Sequence, residues 1–204
     1  MDTFETSGLV FNDGPHEYWL GGKKLISVTT LLQLEGALPG LEFVDPWFAE
    51  RGKMIHLATE LYDKGESSIE ERMKGYEEQI KGCLESWKRY RESLKYQFQP
   101  EHIELKLADE VYGYAGTIDR LPLLDIKGGV YKKADLAQLG AYYGLCQANK
   151  IDRDIYMGPE ARRVVYLNED GSFPVVDQYT VRELISARDS FLAALAWNRF
   201  KNTK

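Results

Sequence analysis

Asp119, Asp125 and Lys127 stand together in the stretch GTIDRLPLLDIKGG, residues 116–129, with Pro122 midway between the two aspartates. If the chain reverses near Pro122, the aspartates become cross-strand partners of an antiparallel pair. Their Cβ atoms then lie about 4.5–5.5 Å apart on one face. Lys127, two residues beyond Asp125, shares that face by strand alternation. Two close carboxylates repel, and one is driven toward protonation unless a cation neutralises them. A hard, oxygen-liganded ion such as Mg²⁺ meets that need. A charged lysine cannot be a ligand, but it can steady an anionic substrate, or orient or activate an attacking water. The same three residues also read as an Asp–Lys pair on a solvated sheet face, or as aspartates placed where turns favour them.

Further residues add to the metal reading. Glu104 lies on the preceding strand-like run, where a third carboxylate can reach the same face. Gly52, His56 and Glu60 recur at four-residue intervals and share one helical face. An imidazole is a common metal ligand, although His56 taken alone reads first as an ordinary satisfied histidine, buried or at the surface. Gly52 costs roughly 1 kcal/mol in a helix interior relative to alanine, a cost that close backbone approach by another group would explain. Gln138 and Tyr142, again four apart on the run after Lys127, can reach back over the carboxylates or be plain amphipathic positions. His16 and His102 carry no assigned role.

The elements that must position these groups follow from local signals. HEYWL and KKLIS flank Gly21-Gly22 and read as a hairpin. Ser27 then caps a short helix, VTTLLQL, which Pro39 and Gly40 end. Asp45 and Pro46 start a helix that stops at Gly65. Apolar residues Met73, Tyr76, Ile80, Cys83, Trp87, Tyr90 and Leu94 recur at spacings of three or four, which predicts one amphipathic helix over 70–96. Its Lys88, Arg89, Arg91 and Lys95 interleave with Glu77, Glu78, Glu85 and Glu92, so that face reads as a solvated back rather than a nucleic-acid surface. Residues 101–127 read as three strands and 133–149 as a helix. RRVVYL and PVVDQYT form a second hairpin, and Thr180 with Glu183 makes a capping box for a final helix to about Phe200. The expected fold is α/β (α+β) with a central mixed sheet flanked by helices. It is expected to be a single domain over 1–204 with an N-terminal hairpin and helix extension over about 1–44.

Composition sets the outer bounds. A chain of 204 residues, 44% hydrophobic and 28% charged, is ordinary for a globular domain with a real core. No apolar run approaches the roughly 20 residues of a membrane span, and MDTFETSGLV lacks the basic and apolar regions of a signal peptide. Cys83 and Cys146 form no CxxC pair, which suggests reduced, buried thiols in a cytosolic protein. A net charge of −6 argues against tight non-specific binding to a phosphate backbone, but a carboxylate site holding a cation can be acidic overall.

In chain order RGKMIH, Glu104, GTID, DIK and QLGAY resemble the RecB-like branch of the PD-(D/E)XK nuclease superfamily. That branch carries a G-x-x-x-H helix, a glutamate strand, a G-x-x-D strand, a D-x-K strand and a Q-x-x-x-Y helix. HEYWLGGKKLISVTTLL is similar to the N-terminal segment of phage-type and mitochondrial-type single-domain exonucleases in the branch. The resemblance covers roughly residues 16–145 and implies a restriction-endonuclease-like core. It also implies a Mg²⁺- or Mn²⁺-dependent deoxyribonuclease, an exonuclease on single- or double-stranded DNA ends in phage or bacterial recombination, repair or processing. His56, Asp119, Asp125 and the Ile126 carbonyl would ligate one or two ions, Glu104 would assist, and Lys127 would be the catalytic lysine. Gln138, Tyr142 and Gly52 would orient the site or touch DNA. A single-strand-binding or recombinase protein is the implied partner, and the cytoplasm, the bacterial host's for a phage-encoded chain, the implied location, with no membrane. Two departures stand out. Members usually place Thr or Ser after the lysine, where this chain has Gly128, so the backbone at Gly128 and Gly129 is left to approach DNA directly. Branch members with an iron–sulfur cluster use four cysteines, and two exclude it here. An endonuclease or resolvase on the same fold, a catalytically silent DNA-binding module, and an unrelated Mg²⁺ enzyme of phosphate esters remain as alternatives.

Overall fold

The computed structural model of the chain describes residues 5–38, 45–129 and 133–203. The chain opens with β1 (Leu9–Asn12), β2 (Glu17–Leu20) and β3 (Lys23–Ser27), an antiparallel meander. Gly21 and Gly22 both take positive φ at the β2–β3 turn, as a two-residue hairpin loop requires. Ser27 caps α1 (Val28–Leu34) by accepting from the Thr30 amide. The expected stop at Pro39–Gly40 and the boundary at 44 lie outside the described residues.

Asp45 accepts from the Trp47 amide and Pro46 fills the first position of α2 (Pro46–Asp63). The helix expected over 70–96 is broken into α3 (Ile69–Arg72) and α4 (Glu77–Ser93). Gly75, at φ +91°, turns the chain between them. Met73 and Ile80 are nonetheless both buried, so the apolar period runs across a break that it does not reveal.

Three strands follow, β4 (Ile103–Asp109), β5 (Tyr114–Arg120) and β6 (Leu124–Lys127), then α5 (Lys133–Ala148) and the short α6 (Arg153–Tyr156). The hairpin of β7 (Arg163–Tyr166) and β8 (Val175–Gln178) leads into α7 (Val181–Asn202), whose Thr180–Glu183 capping box is present. Among the described residues no helix is long and apolar enough to cross a membrane.

One mixed eight-stranded sheet runs β1-β2-β3-β5-β6-β7-β8, with β4 paired to β5. The N-terminal strands are therefore part of the sheet rather than an appendage, because β3 lies parallel to β5. One face packs on α1, α5 and α7 through residues such as Leu31, Leu139, Leu145 and Phe191. The other packs on α2 and α4 through Ile55, Leu61, Ile80 and Trp87. Both free cysteines, Cys83 and Cys146, are buried in these layers, and burial pushes both thiols up from their ordinary range.

Two irregularities shape the middle of the sheet. The edge of β5 opposite β4 is shared. Tyr114 and Ala115 pair with β3 and Arg120 pairs with Leu124 of β6, which leaves Gly116–Asp119 between them without a strand partner on that edge among the described residues. On the other edge, strand alternation slips by one. Leu105 and Ile118 belong to the α5-side core, whereas Ile103 packs on the α2/α4 side and Arg120, paired with Ile103, reaches Asp63 of α2. The slip falls at Glu104, which holds φ +53°, a left-handed conformation that non-glycine residues seldom adopt.

Candidate active site

The gap in the β5 edge opens into a cleft of about 540 Å³ between β3, α1, α2, β5 and β6. His56, Glu104, Asp119 and Lys127 line it, with Gln138 and Tyr142 at its inner side.

Each side chain arrives for a local reason. His56 projects from the middle of α2. Glu104 leaves the regular pleat through its positive φ and so turns its carboxylate toward His56. Asp119 sits where β5 and β6 splay, and its Oδ2 accepts the Ile126 amide at 2.6 Å in place of a backbone carbonyl. Asp125 and Lys127 point from β6 toward α5. Lys127 Nζ is 2.8 Å from Asp125 Oδ2 and donates to Gln138 Oε1 at 3.0 Å, and Gln138 Nε2 donates to the Tyr142 hydroxyl at 2.8 Å. Gly116 permits this last contact, since a Cβ there would come within 2.9 Å of the Tyr142 ring.

The sequence-predicted residues therefore converge, though not as one uniform ligand set. His56, Glu104 and Asp119 each place one donor atom within 4.8 Å of the others. His56 Nδ1 is 3.5 Å from Asp119 Oδ1 and 3.9 Å from Glu104 Oε1. Asp125 lies outside this trio, deeper and beside Lys127, with Ile126 between them on β6. Gly52 does not line the cleft, and beyond its chain neighbours and its own helix backbone no described residue comes within 4 Å of a Cβ built on it, so close approach by another element of the fold is not what that glycine serves.

The trio suits a divalent cation. Ligand atoms on an ion with metal–oxygen distances of 2.0–2.6 Å lie at most about 4–5 Å apart, which matches the spacing of the three donors. The Asp125 carboxylate adds a second sign. It is 1% exposed, its Oδ2 meets the Lys127 ammonium at 2.8 Å, and its Oδ1 has no partner among the described residues. A buried carboxylate in that condition is costly.

The electrostatics agree. Burial pushes the Asp125 carboxyl up to about 7, Asp119 adding to the rise and Lys127 opposing it. Burial likewise raises Asp119, with Glu104 adding and His56 opposing. Burial alone would lower His56, but Asp119 and then Glu104 hold its imidazolium up to about 9. Lys127 is raised despite burial because Asp125 and Asp119 face it, so it is an ammonium at neutral pH. Burial lifts Tyr142 well above the ordinary phenol range, so it remains a neutral hydrogen-bonding group.

Sequence reasoning missed the support behind the trio. Arg120, with a fully buried side chain, donates to the Asp119 carbonyl at 2.6 Å, to Glu104 Oε1 at 3.2 Å and to Asp63 Oδ2 at 2.7 Å. Arg91 takes the other oxygen of Asp63 at 2.6 Å. The only trace of this in the sequence is an arginine directly after Asp119 in a run otherwise apolar enough to be buried.

Packing accounts for the missing side chain at Gly128. A Cβ there would meet Ile55 Cδ1 of α2 at 2.4 Å, and the Gly128 carbonyl accepts from Arg51 Nη1 at 3.2 Å. The position faces a packed helix. Compared with models of known protein families and with curated proteins, the chain matches none.

Proposed function

We propose that the chain is a Mg²⁺- or Mn²⁺-dependent deoxyribonuclease of the RecB-like PD-(D/E)XK type, an exonuclease acting on DNA ends. The supporting observation is the meeting, at the splay of β5 and β6, of a His56–Glu104–Asp119 donor trio with the pair of buried Asp125 and half-buried Lys127. His56, Glu104 and Asp119 would hold the ion, while Asp125, set beside Lys127 outside the trio, and the Ile126 carbonyl are the further ligands that the resemblance implies. A bound divalent ion supplies charge neutralisation and Lewis acidity at a scissile phosphate. Lys127, kept protonated by Asp125 and aimed by Gln138, donates hydrogen bonds to the attacking water or to charge developing on the phosphate. Tyr142 and Gln138 fix that ammonium rather than exchange protons. His56 must give up its proton to ligate, so ion binding releases one.

Digestion of 5′- and 3′-labelled single- and double-stranded DNA with Mg²⁺ or Mn²⁺, beside covalently closed circles, tests the reading. Labelled ends should be degraded and closed circles left intact. Linearised circles would make the enzyme an endonuclease, and no cleavage of any DNA would refute the proposal. Asp119→Asn and Asp125→Asn should each weaken Mn²⁺ binding in calorimetry, and unchanged titrations would remove them as ligands.

A further inference from the structure

The outer wall of the cleft carries groups that the site above does not use. Phe11 of β1 and His16 of the β1–β2 turn stand edge to face, ring centroids 5.1 Å apart at 88°, and both line the cleft. His16 is exposed and held at φ +52° by a turn in which its amide donates to the Asp13 carbonyl at 3.0 Å. Phe11 is half-buried and backed by Tyr18 at 4.8 Å. The two rings thus form an aromatic corner open to the cleft, on a rigid support.

Lys106 sits beside that corner, two residues along β4 from Glu104 and lining the same cleft. Its ammonium lies 5.7 Å from the Phe11 ring centroid and donates to the Glu104 carbonyl at 3.3 Å. Among the described residues it forms no ion pair with a carboxylate, since the Glu104 carboxylate is turned to His56 and Arg120. A half-buried cation with no carboxylate partner among the described residues, two residues along β4 from a member of the metal trio and lining the same cleft, has the charge and position to meet a phosphate next to the reacting one.

We propose that Phe11, His16 and Lys106 form a subsite for one nucleotide of an unpaired DNA strand, the base in the aromatic corner and its phosphate on Lys106. This rests on the nuclease reading above and deepens it, because a base must be unpaired and unstacked to offer its face to a ring. The substrate is therefore a single-stranded end or a frayed duplex end.

The test is steady-state cleavage of a labelled single-stranded oligonucleotide in Mn²⁺, and of the same strand with abasic terminal residues, by the wild type, Lys106→Gln, Lys106→Arg and Phe11→Leu. Lys106→Gln should raise KM several-fold with little change in kcat. It should also reduce the slope of log(kcat/KM) against log[salt] by about 0.7, one single-strand phosphate contact, while Lys106→Arg keeps the slope. Phe11→Leu should lower kcat/KM on the normal strand by at least about fivefold, the lower bound for one stacked base, and leave the abasic strand unchanged. A loss of equal size on both strands would mean that Phe11 only supports the fold, and would overturn the base contact. Variants matching the wild type in KM and salt slope would overturn the subsite while leaving the nuclease standing. A wild type that cleaves neither strand removes both proposals.

Discussion

Gly128→Ala asks whether the missing side chain after Lys127 is a packing requirement. The new Cβ would sit 2.4 Å from Ile55 Cδ1, whereas carbon atoms in good contact are about 3.5–4.0 Å apart. More than an ångström must be absorbed. Ile55 is 2% exposed among Ala58, Trp87 and Ile126, so it has no solvent to swing into. Overpacking of this kind costs about 1–3 kcal/mol, partly offset by about 0.4–1 kcal/mol from a stiffer unfolded chain. Ile55→Val removes the clashing atom at a cost of about 0.5–1.5 kcal/mol by itself. The remaining Ile55 atoms lie 3.7 and 3.9 Å from the added Cβ, which is ordinary contact. In the double variant the alanine methyl then fills the space that Cδ1 vacated, so the two changes should couple favourably by about 1–2 kcal/mol. Urea denaturation of the four proteins, with a common m-value, measures this directly. Additivity within about 0.5 kcal/mol, or a neutral Gly128→Ala, would refute the reasoning.

Lys127→Ala should lower cleavage by at least about a hundredfold while Mn²⁺ still binds in calorimetry; surviving cleavage would remove the lysine from the chemistry. Without divalent ion, the protein should lose stability as pH rises. The Asp125 carboxyl is raised from 3.8 to about 7, so the unfolded chain loses its proton first and stability declines between those values. His56 is raised from 6.5 to about 9, so its contribution is complete below 6.5 and lost by about 9. Thermal melts from pH 5 to 9 should fall without metal, and the gain on adding Mn²⁺ should grow over the same range; a flat metal-free profile would contradict both shifts. Arg120→Met leaves the buried Asp63 with one partner fewer and should cost about 3–5 kcal/mol in urea denaturation, a loss below 1 kcal/mol showing that Arg91 suffices.

Much of the scaffold was legible because its signals are local. Gly21-Gly22, the Asp45-Pro46 start and the Thr180–Glu183 box each specify backbone conformation within a few residues, and each element formed where it was expected. The turn between Asp119 and Asp125 was legible, but β5–β6 pairing stops at Arg120–Leu124, so the two aspartates are not the cross-strand partners expected: Asp119 joins His56 and Glu104 while Asp125 stays beside Lys127. The features that were not legible depend on distant partners. β1 is only four residues, and although Asp13-Gly14-Pro15 after it is a turn signal, it is a strand because β2 pairs with it. The pause at Gly75 hides inside an unbroken apolar period. Glu104 was expected on a strand from which its carboxylate can reach the same face, and it turns toward His56 through a positive φ that no neighbour in the sequence announces. Arg120 and Lys106 are single charges in strands, and only the folded packing shows that one is locked to Asp63 while the other is left facing the cleft.

The shared edge of β5 has a consequence for solubility. Backbone without a strand partner is a template on which another molecule can add a strand, and proteins usually defend it at the rim of a sheet with charge, bulges or covering elements. Here the unladdered stretch Gly116–Asp119 lies inside the sheet, with β3 at one end and β6 at the other, and the Asp119 carbonyl is already taken by Arg120. A foreign strand finds a slot four residues long, closed at both ends. The protein thus keeps a stretch of open main chain beside its carboxylates without presenting an adhesive edge to its own copies.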